Sequence, residues 1–260
     1  MGPVPERIVG TKGFVHLRRR MPTARNGDVR LRYRTDGTPA GRTVVFVPDA
    51  GCGAWQWAWQ APALAGPVET LVYYPRGTGA SDVPAGPYDL DALAGDLAAV
   101  LADHGVARAT VVGAGLGGLV ALHYALGHGR VEQLVLFGTA ASGEPFDADP
   151  LFAGPTAFAG LLEGEFRSER PEEVDRMAAW RREEDATNGV ADAYRTALEA
   201  ADLSDRLFEV TTPTHVIHGT ADAVVPVDAG RSLAEGLPRG QFEAFENGAH
   251  WFFIEQSRVV

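Results

Sequence analysis

The chain has 260 residues, 45% hydrophobic and 22% charged, enough length and apolar content to bury one substantial core. A formal net charge of −11 argues against nucleic acid and anionic membrane as partners, since both demand a basic surface. The single cysteine, Cys52, excludes an intrachain disulfide and leaves no basis for a thiolate metal site.

Residues 1–13 carry no clear period, and Met1 to Arg20 hold no continuous apolar stretch of the kind a secretory signal needs, so a cytoplasmic location is expected. Phe14–Arg19 and Val29–Tyr33 alternate apolar and polar residues around the turn signal Asn26-Gly27-Asp28, which predicts an antiparallel pair with one wet face. Thr43–Pro48 is instead continuously apolar, as expected of a strand buried on both faces. The same pattern recurs at Thr70–Tyr74, Ala109–Val112, Glu132–Phe137 and Thr214–His218, and Gln241–Phe245 reads as a last strand. Helical patterns near 56–65, 90–104, 117–127 and 227–236 lie between them. Strand and helix alternating with short connections predict a parallel sheet wrapped by helices. One stretch breaks the rhythm: 143–208 contains no strand pattern and reads as helices, Pro171–Glu184 and Val190–Ala201 among them. It enters just after the strand Glu132–Phe137, on the side where ligands of such sheets bind, and is expected to form a lid inserted in a single domain spanning 1–260.

The most informative stretch is Ala109–Leu126, a short apolar strand, a turn dense in glycine, and an apolar helix. Gly113, Gly117 and Gly118 frame a G-x-S-x-G turn, but the position of the serine is Gly115. Three further stretches stand at strand ends in a fixed order: Val47-Pro-Asp-Ala-Gly-Cys-Gly-Ala-Trp55, Tyr74-Pro-Arg-Gly-Thr-Gly-Ala-Ser-Asp82, and the pair Gly219–Pro226 with Gly248–Trp251. Together these resemble the α/β-hydrolase fold superfamily across nearly the whole chain. The resemblance implies a mostly parallel eight-stranded sheet flanked by helices, with a helical lid. The few residues after His250 are short for the closing helix the family carries.

The resemblance also implies roles. Asp222 stands at the triad-acid position and His250 at the triad histidine. The carboxylate would hold the imidazole by Nδ1–H and leave Nε2 aimed as a base into the space above Gly115. Backbone N–H groups of Ala50 and Leu116 are placed to form an oxyanion hole. Gly115 has no side chain and forms no acyl intermediate, and losing the serine of such a triad costs on the order of a million-fold in turnover. Glycine there also relieves the strain of the elbow. Where the family has His-Gly, this chain has Pro48-Asp49. Asp49 is a candidate acid or base in the pocket, resembling the polar pocket residue that hydroxynitrile lyases of this fold carry in that loop; its other readings are a loop cap or a partner of Arg76. A carboxylate there would repel an oxyanion, which argues against ordinary ester hydrolysis.

Other features read as structural. Cys52 is a small buried hydrophobe rather than a replacement nucleophile. Trp55, Trp57 and Trp59 read as packing, since no basic residue accompanies them. His215 and His218 fall on a predicted buried strand, so no metal site is called for. Gly113-x-Gly115-x-x-Gly118 spells a dinucleotide fingerprint but sits mid-chain, so no cofactor is expected. Three functions stay open: an enzyme acting on a small carbonyl-containing molecule by noncovalent acid/base chemistry (lyase, cyclase, decarboxylase, cofactor-free oxygenase or water-based hydrolysis), a silent ligand-binding relative, and a serine hydrolase whose nucleophile has been replaced.

Overall fold

A computed structural model describes residues 21–38 and 42–257. The strands are β1 (Thr23–Asn26), β2 (Val29–Asp36), β3 (Thr43–Val47), β4 (Glu69–Tyr73), β5 (Ala109–Ala114), β6 (Val131–Phe137), β7 (Thr214–Gly219) and β8 (Gly240–Phe245). They form one eight-stranded sheet in the order β1-β2-β4-β3-β5-β6-β7-β8. From β4 to β8 every neighbour is parallel, while β1 and β2 join antiparallel at one end. The continuously apolar runs are therefore the inner parallel strands; β4 is buried at all five positions.

The Asn26-Gly27-Asp28 signal does make a hairpin, with Asn26 opposite Val29 and Gly27 at φ 58. Its first arm is Thr23–Asn26; the predicted arm Phe14–Arg19 and the residues before it lie outside the described residues. The pairing follows turn chemistry, because a two-residue loop fixes the register of its flanking residues.

The helices are α1 (Gln60–Leu64), α2 (Leu90–Asp103), α3 (Leu116–Gly127), α4 (Asp149–Phe152), α5 (Gly164–Glu169), α6 (Pro171–Glu184), α7 (Asn188–Ala200), α8 (Val227–Gly236) and α9 (Phe252–Glu255). No helix among the described residues is long and apolar enough to cross a membrane. Asp89 starts α2 by accepting the Ala92 N–H at 2.7 Å. Helix α3 is apolar all round and almost wholly buried, which suits a helix packed between β5, β6 and α2. Helices α4 to α7 fill the interval between β6 and β7, the stretch without strand patterning.

Strand order decides where a site forms. Chain order reverses at β3, which has β4 on one side and β5 on the other, and a crevice opens outside the carboxyl ends of strands at such a switch point. Asp49 follows β3 and Gly115 follows β5, while Asp222 and His250 follow β7 and β8. Four residues far apart in sequence thus reach one end of the sheet.

Candidate active site

The turn after β5 is a sharp one. Gly115 takes φ 50 and ψ −121, a conformation side-chain-bearing residues rarely adopt, and caps the start of α3. Close packing holds the turn in place. A Cβ on Gly117 would stand 2.5 Å from the Val47 carbonyl oxygen and closer still to that of Pro48, so only glycine lets α3 approach β3 this tightly. Thr139 Oγ1 donates to the Gly115 carbonyl at 2.7 Å, and Gly115 N–H donates to Phe137 O at 3.0 Å.

The space above Gly115 is filled by Asp49. Its Oδ1 accepts the backbone N–H of Ala50 at 2.7 Å and of Leu116 at 2.9 Å. The two proposed oxyanion donors do converge on one oxygen, and that oxygen belongs to the protein. Asp49 Oδ2 lies 2.9 Å from His250 Nε2, and Asp222 Oδ2 lies 2.8 Å from His250 Nδ1. A Cβ on Gly115 would stand 2.6 Å from Asp49 Oδ2 and closer to its Cγ and Oδ1. Glycine at 115 and aspartate at 49 are therefore two halves of one arrangement. The expected open Nε2 above the turn is replaced by a ring held between two carboxylates.

This placement sets the charge of the ring. Burial alone would lower the His250 pKa, but the Asp222 and Asp49 carboxylates outweigh it and raise it to about 10. At neutral pH the ring is an imidazolium whose two N–H groups each donate to a carboxylate, not the free base the sequence suggested. Burial also pushes the Asp222 carboxyl up, and His250 with His218 more than offsets this, holding it well below the usual carboxylate range. Asp222 Oδ1 accepts the N–H groups of Val224 and Val225 at 2.8 and 2.9 Å, which fixes the carboxylate. Asp49 and His250 are each 1% exposed.

Several contributors were not singled out by the sequence. His218 Nε2 lies 3.2 Å from Asp222 Oδ2 and 2.9 Å from Val225 O, so this core histidine backs the acid. Gln56 Oε1 accepts the Asp49 N–H at 2.8 Å. The loop carrying Asp49 is also gripped by the end of α6. Asp185 Oδ1 accepts from Gly53 N at 3.0 Å and Trp55 Nε1 at 2.6 Å, Glu184 Oε2 accepts from Trp55 N at 2.9 Å, and Ala186 N donates to Gly51 O at 2.8 Å. Tandem acids at a helix end look like a solvated C-terminus in sequence, and only the fold reveals the loop they face. Gly138, at φ 51, lets the Asp222–His250 pair close in, since a Cβ there would stand 3.1 Å from both Asp222 Oδ2 and His250 Nδ1.

Other candidates fall elsewhere. Arg76 is not a partner of Asp49: its Nε and Nη2 each donate to Asp96 at 2.7 Å in a buried pair. His215 is half-buried and pairs with exposed Glu243 at 3.1 Å, so it is no core histidine; side chains alternate along β7, and only His218 faces inward. Cys52 is buried, and desolvation with the nearby Asp185 and Asp49 raises its pKa well above that of an ordinary thiol, the reverse of an activated nucleophile. Trp57 stacks on Phe253 and Trp55 packs against Trp180 and Trp251.

A profile of the alpha/beta hydrolase family matches residues 44–260. The chain belongs to the α/β-hydrolase family. Similar α/β-hydrolase sequences include a 2-hydroxy-6-oxononadienedioate/2-hydroxy-6-oxononatrienedioate hydrolase of Cupriavidus pinatubonensis, 30% identical over 96% of this chain and 92% of the relative. Another is 3-oxoadipate enol-lactonase 2 of Acinetobacter baylyi, 28% identical over 89% of this chain and 90% of the relative. Among solved structures, the enol-lactonase from Burkholderia xenovorans LB400 superposes with a TM-score of 0.81 at 26% identity, covering 91% of this chain and 95% of that one. Relatives of this α/β-hydrolase chain are named hydrolases, and its own elbow carries glycine.

Proposed function

We propose that this α/β-hydrolase family member is an enzyme that cleaves a small organic molecule with water and without a serine, using Asp49, His250 and Asp222. The observation that carries the reading is the position of His250, bridged between Asp222 and Asp49 directly over the elbow at 2.8 and 2.9 Å. A buried cation joined to two carboxylates costs more to assemble than apolar packing, which makes a chemical role the better account of it. Of the noncovalent chemistries open from sequence, those that place a substrate enolate or carbonyl oxygen in the oxyanion hole are less well supported, because Asp49 Oδ1 already takes both donors. Hydrolysis with water draws directly on the Asp49, His250 and Asp222 side chains, which lie in one hydrogen-bonded line. The fit of Asp49 around Gly115 also weighs against a serine hydrolase altered at one position, since a side chain there collides with the carboxylate.

In this reading α4 to α7 act as the lid of a single domain. Support comes from the grip of Glu184, Asp185 and Ala186 on the Asp49 loop. The test is a panel of small esters, lactones and alkyl electrophiles offered to wild type and to His250→Ala. Wild type is expected to hydrolyse at least one class, with the variant slower by about 100- to 10,000-fold. Binding of panel members without turnover by wild type would instead support a ligand-binding protein.

A further inference from the structure

We propose that the cleft between α4, the end of α6 and the start of α7 is a binding site for an amphipathic organic carboxylate, one anionic head on an alkyl chain. It stands apart from the Asp49–His250–Asp222 line and does not depend on the hydrolase reading. The cleft measures about 550 Å³, within the roughly 300–1,000 Å³ of small-molecule sites. Gly51 forms part of its inner wall, and there the cleft stops. A Cβ on Gly51 would stand 2.8 Å from Phe152 Cε1 and 3.3 Å from the Ala186 Cβ, so these two side chains close the way toward Asp49.

Two kinds of surface line it. The inner part is apolar, from Leu151, Phe152, Pro155 and Ala191. Ala191 is buried without joining the main hydrophobic core, so its methyl serves the cleft wall. The outer edge is formed by Arg182, Thr187 and Gly189, all exposed.

The charges of the lining do not cancel. It holds two cations, Arg181 and Arg182, against one anion, Asp185. Asp185 is fully engaged: its Oδ2 accepts from Arg181 Nε at 2.9 Å, and its Oδ1 turns to Gly53 N and Trp55 Nε1. Arg181 donates its other two nitrogens to the carbonyls of Ala157 and Leu151. Arg182 is left with no ion pair among the described residues, since the Asp185 carboxylate belongs to Arg181. The first turn of α7 begins beside it, and no side chain caps it, which adds positive potential at the same edge. In a chain of net charge −11, a cleft whose free charge is positive selects for an anion. One free guanidinium matches one carboxylate, while a doubly charged phosphate head would lack a second partner. The apolar inner wall gains by burying an alkyl tail. The ligand therefore lies with its head at Arg182 and its chain along Leu151, Phe152 and Ala191.

Sodium octanoate is the probe, with 1-octanol as its uncharged counterpart. Calorimetric titration of the full-length protein is expected to show one octanoate bound per chain and 1-octanol bound about tenfold more weakly. Arg182→Gln, a change at an exposed position, is expected to weaken octanoate about tenfold and leave 1-octanol unchanged. Ala191→Leu fills the inner wall and is expected to weaken both ligands. Amide shifts of nitrogen-labelled wild type during the octanoate titration locate the site independently of any variant. They are expected to concentrate at Gly51, Ala186, Gly189 and Ala191 and to leave Gly115 and Leu116 unmoved. Absence of octanoate binding to wild type would overturn the proposal. So would equal affinities for octanoate in wild type and Arg182→Gln, or shifts centred on Gly115 and Leu116, which would put the carboxylate at the elbow instead.

Discussion

Gly115→Ser restores the missing letter of the elbow, and on its own it is predicted to fail. The new Cβ would lie 2.6 Å from Asp49 Oδ2 and nearer to Oδ1, at a backbone φ of 50. Holding a side chain in that conformation costs about 1–3 kcal/mol. The collision evicts the Asp49 carboxylate, so the N–H groups of Ala50 and Leu116 and the His250 ring lose charged acceptors while buried. Hydrogen bonds to charged groups are worth roughly 1.5–3 kcal/mol each, and partial replacement by the new hydroxyl brings the expected total to about 3–6 kcal/mol. For a domain of this size that is a fall in Tm of about 10–20 °C. The double variant Asp49→Gly with Gly115→Ser removes the collision and frees both backbone donors. It is predicted to recover most of the lost Tm and to gain labelling by a serine-reactive fluorophosphonate, using His250 and Asp222 as built. Differential scanning calorimetry and mass spectrometry of the labelled protein read both quantities. A single variant as stable as wild type, labelled as fast as the double, would refute the claim that Asp49 fills this space.

Further outcomes follow from the same contacts. Arg76→Met leaves Asp96 buried without its partner and is expected to cost about 3–5 kcal/mol in urea unfolding. Gly117→Ala forces a Cβ against the Val47 and Pro48 carbonyls and is expected to cost about 1–3 kcal/mol, read as a lower Tm. His250 contributes a pH-dependent term: its folded pKa of about 10 lies above its ordinary 6.5, so the stability it adds is complete below about pH 6.5 and is lost as pH rises toward 10. Urea midpoints of wild type should therefore fall across that window more steeply than those of His250→Gln. Glu255 works in the opposite sense to a paired acid. Desolvation raises its pKa to about 7 although it accepts the Glu163 N–H, so the penalty for ionising it grows between about pH 4.5 and 7. Glu255→Gln should be more stable than wild type at pH 8 and show no such gain at pH 4.

Much of this fold was legible because buried parallel strands write themselves as apolar runs. Thr43–Val47 and Thr214–Gly219 were visible within a residue or two, and the limits of α6 coincide with the predicted helix Pro171–Glu184. The positions of Asp49, Gly115, Asp222 and His250 were legible too, because strand ends and glycine turns mark them. What these residues do to one another was not. No spacing rule says that a carboxylate after β3 reaches across to the Leu116 N–H, 67 residues on, or that His250, 201 residues on, meets it there. The sequence expectation of a free Nε2 followed from treating the loop and the elbow as separate motifs. The near arm of the hairpin, Thr23–Asn26, carried no alternation of its own and follows from the two-residue turn, which fixes the register of the residues flanking it.

His250 rests as an imidazolium joined to two carboxylates above a glycine elbow. Nitrogen-labelled NMR of the histidine rings as a function of pH reads this state. His250 is predicted to show both ring nitrogens protonated, with two hydrogen-bonded N–H protons, from neutral pH up to about pH 9, and Asp49→Asn is predicted to remove one signal and lower the titration midpoint. A single ring N–H on His250 with a midpoint near the ordinary 6.5, unchanged in Asp49→Asn, would contradict it.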